Sequence, residues 1–273
     1  MEELIVLGTG NASATNCYNT CFALRKEDEY FLVDAGGGNG ILSALEKSKI
    51  DYRKIHHIFI THEHCDHILG VVWMIRMIGT AMNQGTYKGE LKIYCYKELV
   101  DTIKTLAKLT VLPKICKHLD GRILFVGLED GQEVDILETK VTFFDIASTK
   151  AKQFGFTLPV KTGEMLTCCG DEPYNEVTEQ YVKGTSYLLH EAFCLYEERE
   201  RFKPYEKHHS TVKDACELAT KLGVKHLVLW HTEDKDYENR KTRYLAEGSP
   251  YFAGDLAVPY DLEVLSLVKG VMA

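Results

Sequence analysis

Several things are missing from this 273-residue chain. It has no unbroken apolar run that approaches the roughly 18 residues of a membrane span. It has no basic tail or stripe. The formal net charge is −8, with the acids spread along the chain, which disfavours nucleic-acid binding over a broad electrostatic footprint. Its nine cysteines include no C-x-x-C pair. An odd, scattered set reads as reduced thiols, most of them small buried hydrophobes, in a reducing compartment. The opening "MEELIVLGTGNAS" carries neither a charged leader nor a cleavage site, so the expectation is a cytoplasmic protein with no membrane partner. No low-complexity linker and no long repeat divides the chain, and residues 1–273 read as a single domain.

What is present alternates. "LIVLG", "NTCFALR", "YFLVDAG" and "HIFIT" read as strands closed by Gly or polar residues. "ILGVVWMIRMIGTAMNQ" is too apolar for a surface helix and belongs in the core. The stretch from Arg122 to Ser148 looks like a hairpin turning at Asp130-Gly131. "NEVTEQYVKG" reads as a helix, and "STVKDACELATKLG" as another, capped by Ser210 or Thr211 and stopped at Gly223. Strands and helices mixed in this way predict an α/β protein with helices on the outer faces of paired sheets.

The chemistry concentrates in "THEHCDH". His62, His64, Asp66 and His67 stand within six positions, just after a strand. Imidazoles and carboxylates are donors for zinc, manganese or iron. A tight loop there can aim His62 and His64 at one ion, and Asp66 and His67 at a second. Two ions about 3.5–4 Å apart suit ligands this close in sequence. The bland alternative is a polar helix N-terminus, with Asp66 at the positive end of the macrodipole. Three histidines at this density argue against it.

"THEHCDH" after a strand, "FLVDAG" upstream and "VLGTGNA" at the start resemble the metallo-β-lactamase superfamily. The resemblance implies a four-layer αββα sandwich with a dinuclear site at the edge between the sheets. By motif match it adds Asp171 in "LTCCGDEP" and His231 in "LVLWHTED" as ligands, and Asp34 as support for the metal-binding loop. "HEAF" (His190 to Phe193) and "HST" (His209 to Thr211) resemble motifs of the RNase Z branch, which processes tRNA 3′ ends and includes some cyclic-nucleotide phosphodiesterases and arylsulfatases. There the HST histidine faces the metals, so the resemblance implies that His209 stabilises the attacked phosphate or helps the leaving group, oriented by Glu191. The bland reading of "HST" is a helix cap. The branch is often dimeric, so a homodimer is allowed.

The sequence departs from that pattern twice. A ligand histidine ought to stand shortly before the Gly155-Phe156 pair, where this chain has Ser148 and Thr149. His118 lies too far upstream, and Asp145 substitutes only if its strand faces inward. The expectation is therefore one tight and one weaker metal site, with zinc first and manganese or iron as alternatives. Second, RNase Z proteins that carry a tRNA-gripping arm place it between the positions of Thr149 and Asp171, and that span is too short to hold one. Pre-tRNA is thereby disfavoured against a small anionic ester or nucleotide-type substrate. His56, His57, His208 and His226 take bland readings, as do Arg240, Arg243 and Tyr244 on a charged helix.

The leading expectation is a metal-dependent hydrolase cleaving a phosphodiester or related anionic ester by metal-activated hydroxide. Asp66, His209 and Glu191 carry the catalytic roles, and His62, His64, Asp66, His67, Asp171 and His231 are the ligands. Acyl-ester, lactone or thioester hydrolysis is one alternative. A metal-binding regulatory protein with little turnover is the other.

Overall fold

The apolar runs become strands and the periodic segments become helices, over the residues 1–268 that the computed structural model describes. The first half gives β1 (Glu3–Gly8), β2 (Cys21–Lys26), β3 (Glu29–Val33), α1 (Gly40–Lys47), β4 (Ile55–Phe59), α2 (Cys65–Asn83), β5 (Leu91–Tyr96), α3 (Leu99–Thr110), α4 (Pro113–Cys116) and β6 (Ile123–Leu128). The second gives β7 (Glu133–Ile136), β8 (Thr139–Asp145), β9 (Phe154–Pro159), β10 (Met165–Cys168), α5 (Glu179–Val182), β11 (Tyr187–Glu191), α6 (Arg199–Phe202), α7 (Val212–Leu222), β12 (His226–Trp230), α8 (Tyr237–Gly248) and β13 (Asp255–Ala257). A last strand, β14 (Val264–Ser266), returns to pair with β1.

Two seven-stranded sheets result, ordered β14-β1-β2-β3-β4-β5-β6 and β13-β12-β11-β10-β9-β8-β7. Helices α1 and α3 pack on the first sheet, while α5, α7 and α8 pack on the second. This is the expected αββα sandwich. Aromatic rings join the facing sheets: Phe22 stacks on Trp230 with centroids 4.7 Å apart, and Phe59 packs on Phe143 at 4.7 Å. Phe31 meets Phe156 edge-on at 5.8 Å. Such pairs add roughly 0.5–1.5 kcal/mol each beyond the area they bury.

Three local expectations change. Asp130-Gly131 does not turn a hairpin; it carries the chain from β6 in one sheet to β7 in the other. The hairpin is β7–β8, where Ile136 pairs with Thr139 across Leu137-Glu138, both at positive φ (49° and 53°). A two-residue turn of that kind normally signals itself with Asn or Gly, and this one does not. "NEVTEQYVKG" yields only a 3₁₀ turn and the single-turn α5, because just Thr178 and Val182 reach the core. Helix α2 is long and apolar enough to cross a membrane by length and composition, more than the sequence suggested, yet 61% of its 18-residue apolar window is buried inside the protein. Its apolarity is spent on the core.

Strands β3 to β6 run parallel, and so do β10 to β13. The segments that leave β3, β4, β10, β11 and β12 at their C-terminal ends meet at one edge of the sandwich, where ligands bind in open parallel sheets. Helix α2 is docked there backbone to backbone. Gly70 N–H donates to the Gly36 carbonyl at 2.8 Å, and Ala35 N–H to the His67 carbonyl at 3.1 Å. A Cβ on Gly70 would stand 1.8 Å from the Ala35 carbonyl oxygen, and backbone cannot move aside as a side chain can. Gly70→Ala is therefore expected to cost about 1–3 kcal/mol or more in denaturant unfolding. Unchanged stability would mean that α2 is not seated as described.

Candidate active site

The site is built outward from Asp34. Held at φ 54°, this buried carboxylate follows β3 and accepts three hydrogen bonds. Thr61 N–H and Thr61 Oγ1–H each donate at 2.8 Å, and His67 Nδ1 lies 2.7 Å away. The first two fix the loop leaving β4, and the third sets the ring of His67 on the first turn of α2. With Nδ1 engaged, His67 presents Nε2 to the cleft. That atom is buried and finds no hydrogen-bond partner.

Three further donor atoms gather around it. Asp66 Oδ2 is 3.3 Å from His67 Nε2, and Asp171 Oδ2 is 3.7 Å away. His231 Nε2 is 3.4 Å from the same Asp171 oxygen, with its Nδ1 turned to Thr20 Oγ1 at 3.2 Å. Burial pushes His231 down to about 3 and His62 well below its ordinary value, although Asp171 pulls each the other way. Burial would raise the carboxyls of Asp66 and Asp171. It is outweighed by the neighbouring imidazoles, with His67 acting on Asp66 and with His62 and His231 acting on Asp171, and both acids lie below the usual carboxylate range. Burial likewise opposes charge on His67, but Asp34 and Asp66 outweigh it and raise its pKa well above the ordinary value, so an ion at Nε2 would displace a proton. Neutral imidazoles and ionised carboxylates are the forms that bind a metal. An orphaned, buried imidazole nitrogen among two carboxylates and a second imidazole fits a divalent ion such as zinc, manganese or iron. Asp66, His67, Asp171 and His231 would hold it.

The neighbouring position differs. His62 Nε2 lies 2.8 Å from His64 Nδ1 and 3.7 Å from Asp171 Oδ2. Thr149 does not complete it: its hydroxyl lies 2.6 Å from His208 Nδ1, and its amide donates to Glu172 Oε2 at 3.1 Å. Asp145 does not either, since its Oδ1 accepts from Ala147 N–H at 2.8 Å. Gln153 fills the place instead, in a position the sequence reading passed over. Its Nε2 donates to Asp171 Oδ1 at 2.5 Å and lies 2.7 Å from His62 Nδ1. A buried glutamine two residues before Gly155 was the only signal.

His209 forms the adjoining wall. Its ring stacks on Phe193 with centroids 5.0 Å apart and lies 5.2 Å from that of His231. Nδ1 is 3.4 Å from Glu191 Oε2, and Glu191 Oε1 accepts from Ser210 N–H at 2.6 Å. Thr211 caps α7 through a capping box with Asp214, so the cap and the cleft-facing histidine are separate residues. The cleft above has a volume of about 340 Å³ and is lined further by Lys150, Lys207, Lys235 and Phe202. Sequence inspection missed all four, because lone lysines and phenylalanines in loops carry no pattern.

The remaining residues are structural. His190 Nδ1 sits 2.6 Å from the Glu191 carbonyl, and His118 lies outside the site beside Asn83. Buried Arg240 donates to Thr9, Thr232 and the Pro259 carbonyl. Arg243 pairs with Glu197 and Asp236, and Tyr244 donates to the Phe193 carbonyl. All nine cysteines are free.

The family model described as Anti-Pycsar protein Apyc1 matches residues 2–248. Among curated proteins, the ribonuclease Z of Thermococcus onnurineus is 26% identical over 99% of this chain and 96% of its own length. That of Pyrococcus horikoshii is 28% identical over 85% and 86%. Among solved structures, the metallo-β-lactamase fold protein YhfI from Bacillus subtilis superposes with a TM-score of 0.79 at 15% identity, covering 97% of this chain and 99% of that one. Human tRNase Z, short form, gives 0.73 at 23% identity over 97% and 99%.

The two metal positions share Asp171 but not His64. Asp171→Ala is expected to strip bound metal to near zero, whereas His64→Ala keeps one tight equivalent and loses only weak binding. Elemental analysis after gel filtration distinguishes them, and equal loss in both variants would contradict the assignment.

Proposed function

The chain belongs to the Anti-Pycsar protein Apyc1 family, is an RNase Z-like metallo-β-lactamase superfamily member and a metal-dependent hydrolase, and on that premise we propose that it cleaves a small phosphodiester of nucleotide type. The observation that carries this reading is the lining of the cleft. In a protein of net charge −8, Lys150, Lys207 and Lys235 line the cleft over the Asp/His cluster together with Phe193, Phe202, Glu233 and Asp234, and Lys235 is paired with Asp234. Ammonium groups attract an anion, and phenyl rings give a flat base an apolar wall. A duplex-sized substrate finds no arm among the described residues, because the span after Thr149 is consumed by the antiparallel pair β9–β10.

One tight metal equivalent is held by Asp66, His67, Asp171 and His231, and any second, at His62, His64 and Asp171, is weak. When bound, the ion supplies Lewis acidity and brings the pKa of water toward neutrality. The chain's own residues do the rest. Asp66 accepts a hydrogen bond from the attacking water and aims it. His209 gives its proton to the leaving oxygen, and Glu191 holds the ring so that the other nitrogen faces the cleft. The Glu191 carboxylate is buried against His209 Nδ1 and Ser210 N–H, so its role is positioning.

A second copy of the chain is part of this reading. Leu69 and Trp73 on α2 are 37% exposed, and Leu109 and Leu112 beside them are 78% and 48% exposed. Leu69 and Trp73, with Val72, Leu106 and Val111, line a largely apolar groove of about 310 Å³ that also holds Arg76. We place a homodimer contact on this face and the protein in the cytoplasm. Trp73→Asp is expected to convert a dimer to a monomer in sedimentation velocity. A wild-type monomer at tens of micromolar would remove this contact from the proposal.

The chemical reading is tested by His209→Ala, which is expected to lower phosphodiester turnover by roughly 10²–10⁴ at unchanged metal content. The loss should be greatest for alkyl and nucleoside cyclic phosphodiesters and smaller for nitrophenyl esters, whose leaving group needs no proton. If His209→Ala keeps full activity, or if only carboxylesters and thioesters are turned over, acyl hydrolysis replaces this reading. A metal-loaded protein inactive on the whole panel would support a regulatory role.

A further inference from the structure

The segment from Ser148 to Gln153 stands where a metal-ligating histidine was expected; Lys152 points away from the cleft to Glu98 at 3.1 Å, and of the other polar groups all but one are engaged within the protein. Ser148 Oγ–H donates to Glu172 Oε1 at 2.5 Å, Thr149 N–H donates to Glu172 Oε2 at 3.1 Å, and Lys150 N–H donates to Ser148 Oγ at 3.2 Å. Glu172, buried beside Asp171, therefore anchors the segment. Gln153 closes it with the bond to Asp171 Oδ1. Its nitrogen must face that carboxylate, because the amide oxygen there would meet like charge. An N–H donor cannot ligate an ion; donating also to His62 Nδ1, it leaves the ring proton on Nε2, the nitrogen that faces His64 and Asp171 Oδ2.

The remaining group is Lys150 Nζ. Its side chain is 22% exposed, and its one ionic neighbour is Glu172 Oε1, 4.0 Å away and already bonded to Ser148. The lysine lines the cleft with His64, Asp66, Asp171 and His209, and is among the charges that act on Asp171. Asp66 and Asp171 together cancel one divalent ion, so an anionic substrate depends on the cleft's lysines for attraction, and Lys150 is the one whose charge acts on Asp171.

We propose that Ser148–Gln153 replaces a second metal ion: the Gln153 amide ties His62 to Asp171, and the Lys150 ammonium binds the non-bridging oxygen of a phosphate-type substrate. This rests on the phosphodiester reading and assigns to Lys150 the contact that a second ion would otherwise make. The protein then works with one ion, and added metal does not raise its activity.

The test uses wild type, Lys150→Met and Lys150→Arg, each loaded with zinc and gel-filtered. Three quantities are read: metal per chain, the dissociation constant of inorganic phosphate by calorimetry, and turnover of bis(p-nitrophenyl) phosphate. One equivalent of metal is expected in all three proteins, which also shows that the variants are folded. Lys150→Met should weaken phosphate roughly tenfold or more, the scale of a charge-assisted hydrogen bond, and Lys150→Arg should recover most of it. Two equally tight equivalents in wild type would overturn the proposal, as would phosphate affinity in Lys150→Met within twofold of wild type. Wild type that binds no phosphate overturns both this proposal and the phosphodiester reading. Lys150-dependent phosphate binding with no turnover of any phosphodiester supports this proposal and sinks the other.

Discussion

The carboxylate of Asp34 is the constraint on which the site depends. An ionised carboxylate in the interior is costly unless its oxygens are bonded, and here they meet two donors from Thr61 and the ring of His67. Those partners lie on the loop after β4 and on the first turn of α2, which also docks on the loop after β3 through Ala35, Gly36 and Gly70. Satisfying one charge therefore sets the spacing between the His62–His64 loop and the Asp66–His67 turn. The left-handed backbone of Asp34 belongs to the same arrangement. A non-glycine residue there costs of order 1–3 kcal/mol, and His231 on the opposite sheet carries the same strain at φ 55°. Both residues end strands and turn their side chains back over the strand ends. That conformation offsets its strain only where other bonds hold it, as Thr20 does for His231.

The two sheets contribute unequally. The first supplies the rigid part: a loop and a helix start fixed by one carboxylate and by backbone docking. The second supplies Asp171, His209 and His231 from three separate connections and Glu191 from the end of β11, and these depend on the interlocked aromatic layer to stay in register with the first. A change of packing between Phe22 and Trp230 would move His231 one residue beyond β12, with no contact to the site itself.

Legibility from sequence followed the same division. The cluster His62 to His67 was readable because its ligands are adjacent and their spacing is chemical. Asp171 and His231 were legible only through resemblance, since nothing local separates a ligand from any other polar residue after a strand. The sandwich was legible from alternating strands and helices. The β7–β8 turn was not, because Leu137 and Glu138 adopt positive φ without glycine and the nearby Asp130-Gly131 drew the assignment. Thr149 was correctly seen to lack the expected ligand. What fills that place was hidden, because Gln153 lies at a different offset and acts through a long side chain. Lys150, Lys207 and Lys235 are far apart in sequence and become one feature only when three loops meet.

The cleft lysines bear on the tension between an acidic chain and the proposed anionic substrate, even with Glu233 and Asp234 in the same lining. Net charge governs long-range approach, which at physiological salt is screened beyond about 8 Å. Within that distance the substrate experiences the cleft rather than the total of −8. A phosphodiester that is one nucleotide in size fits inside the screened zone and meets the lysines. On the proposed reading, a polynucleotide extends past it, onto a surface where acids outnumber bases and no arm is found among the described residues. Under that reading the same composition weakens a long nucleic acid more than a small phosphodiester, and the two effects would act together as a size filter.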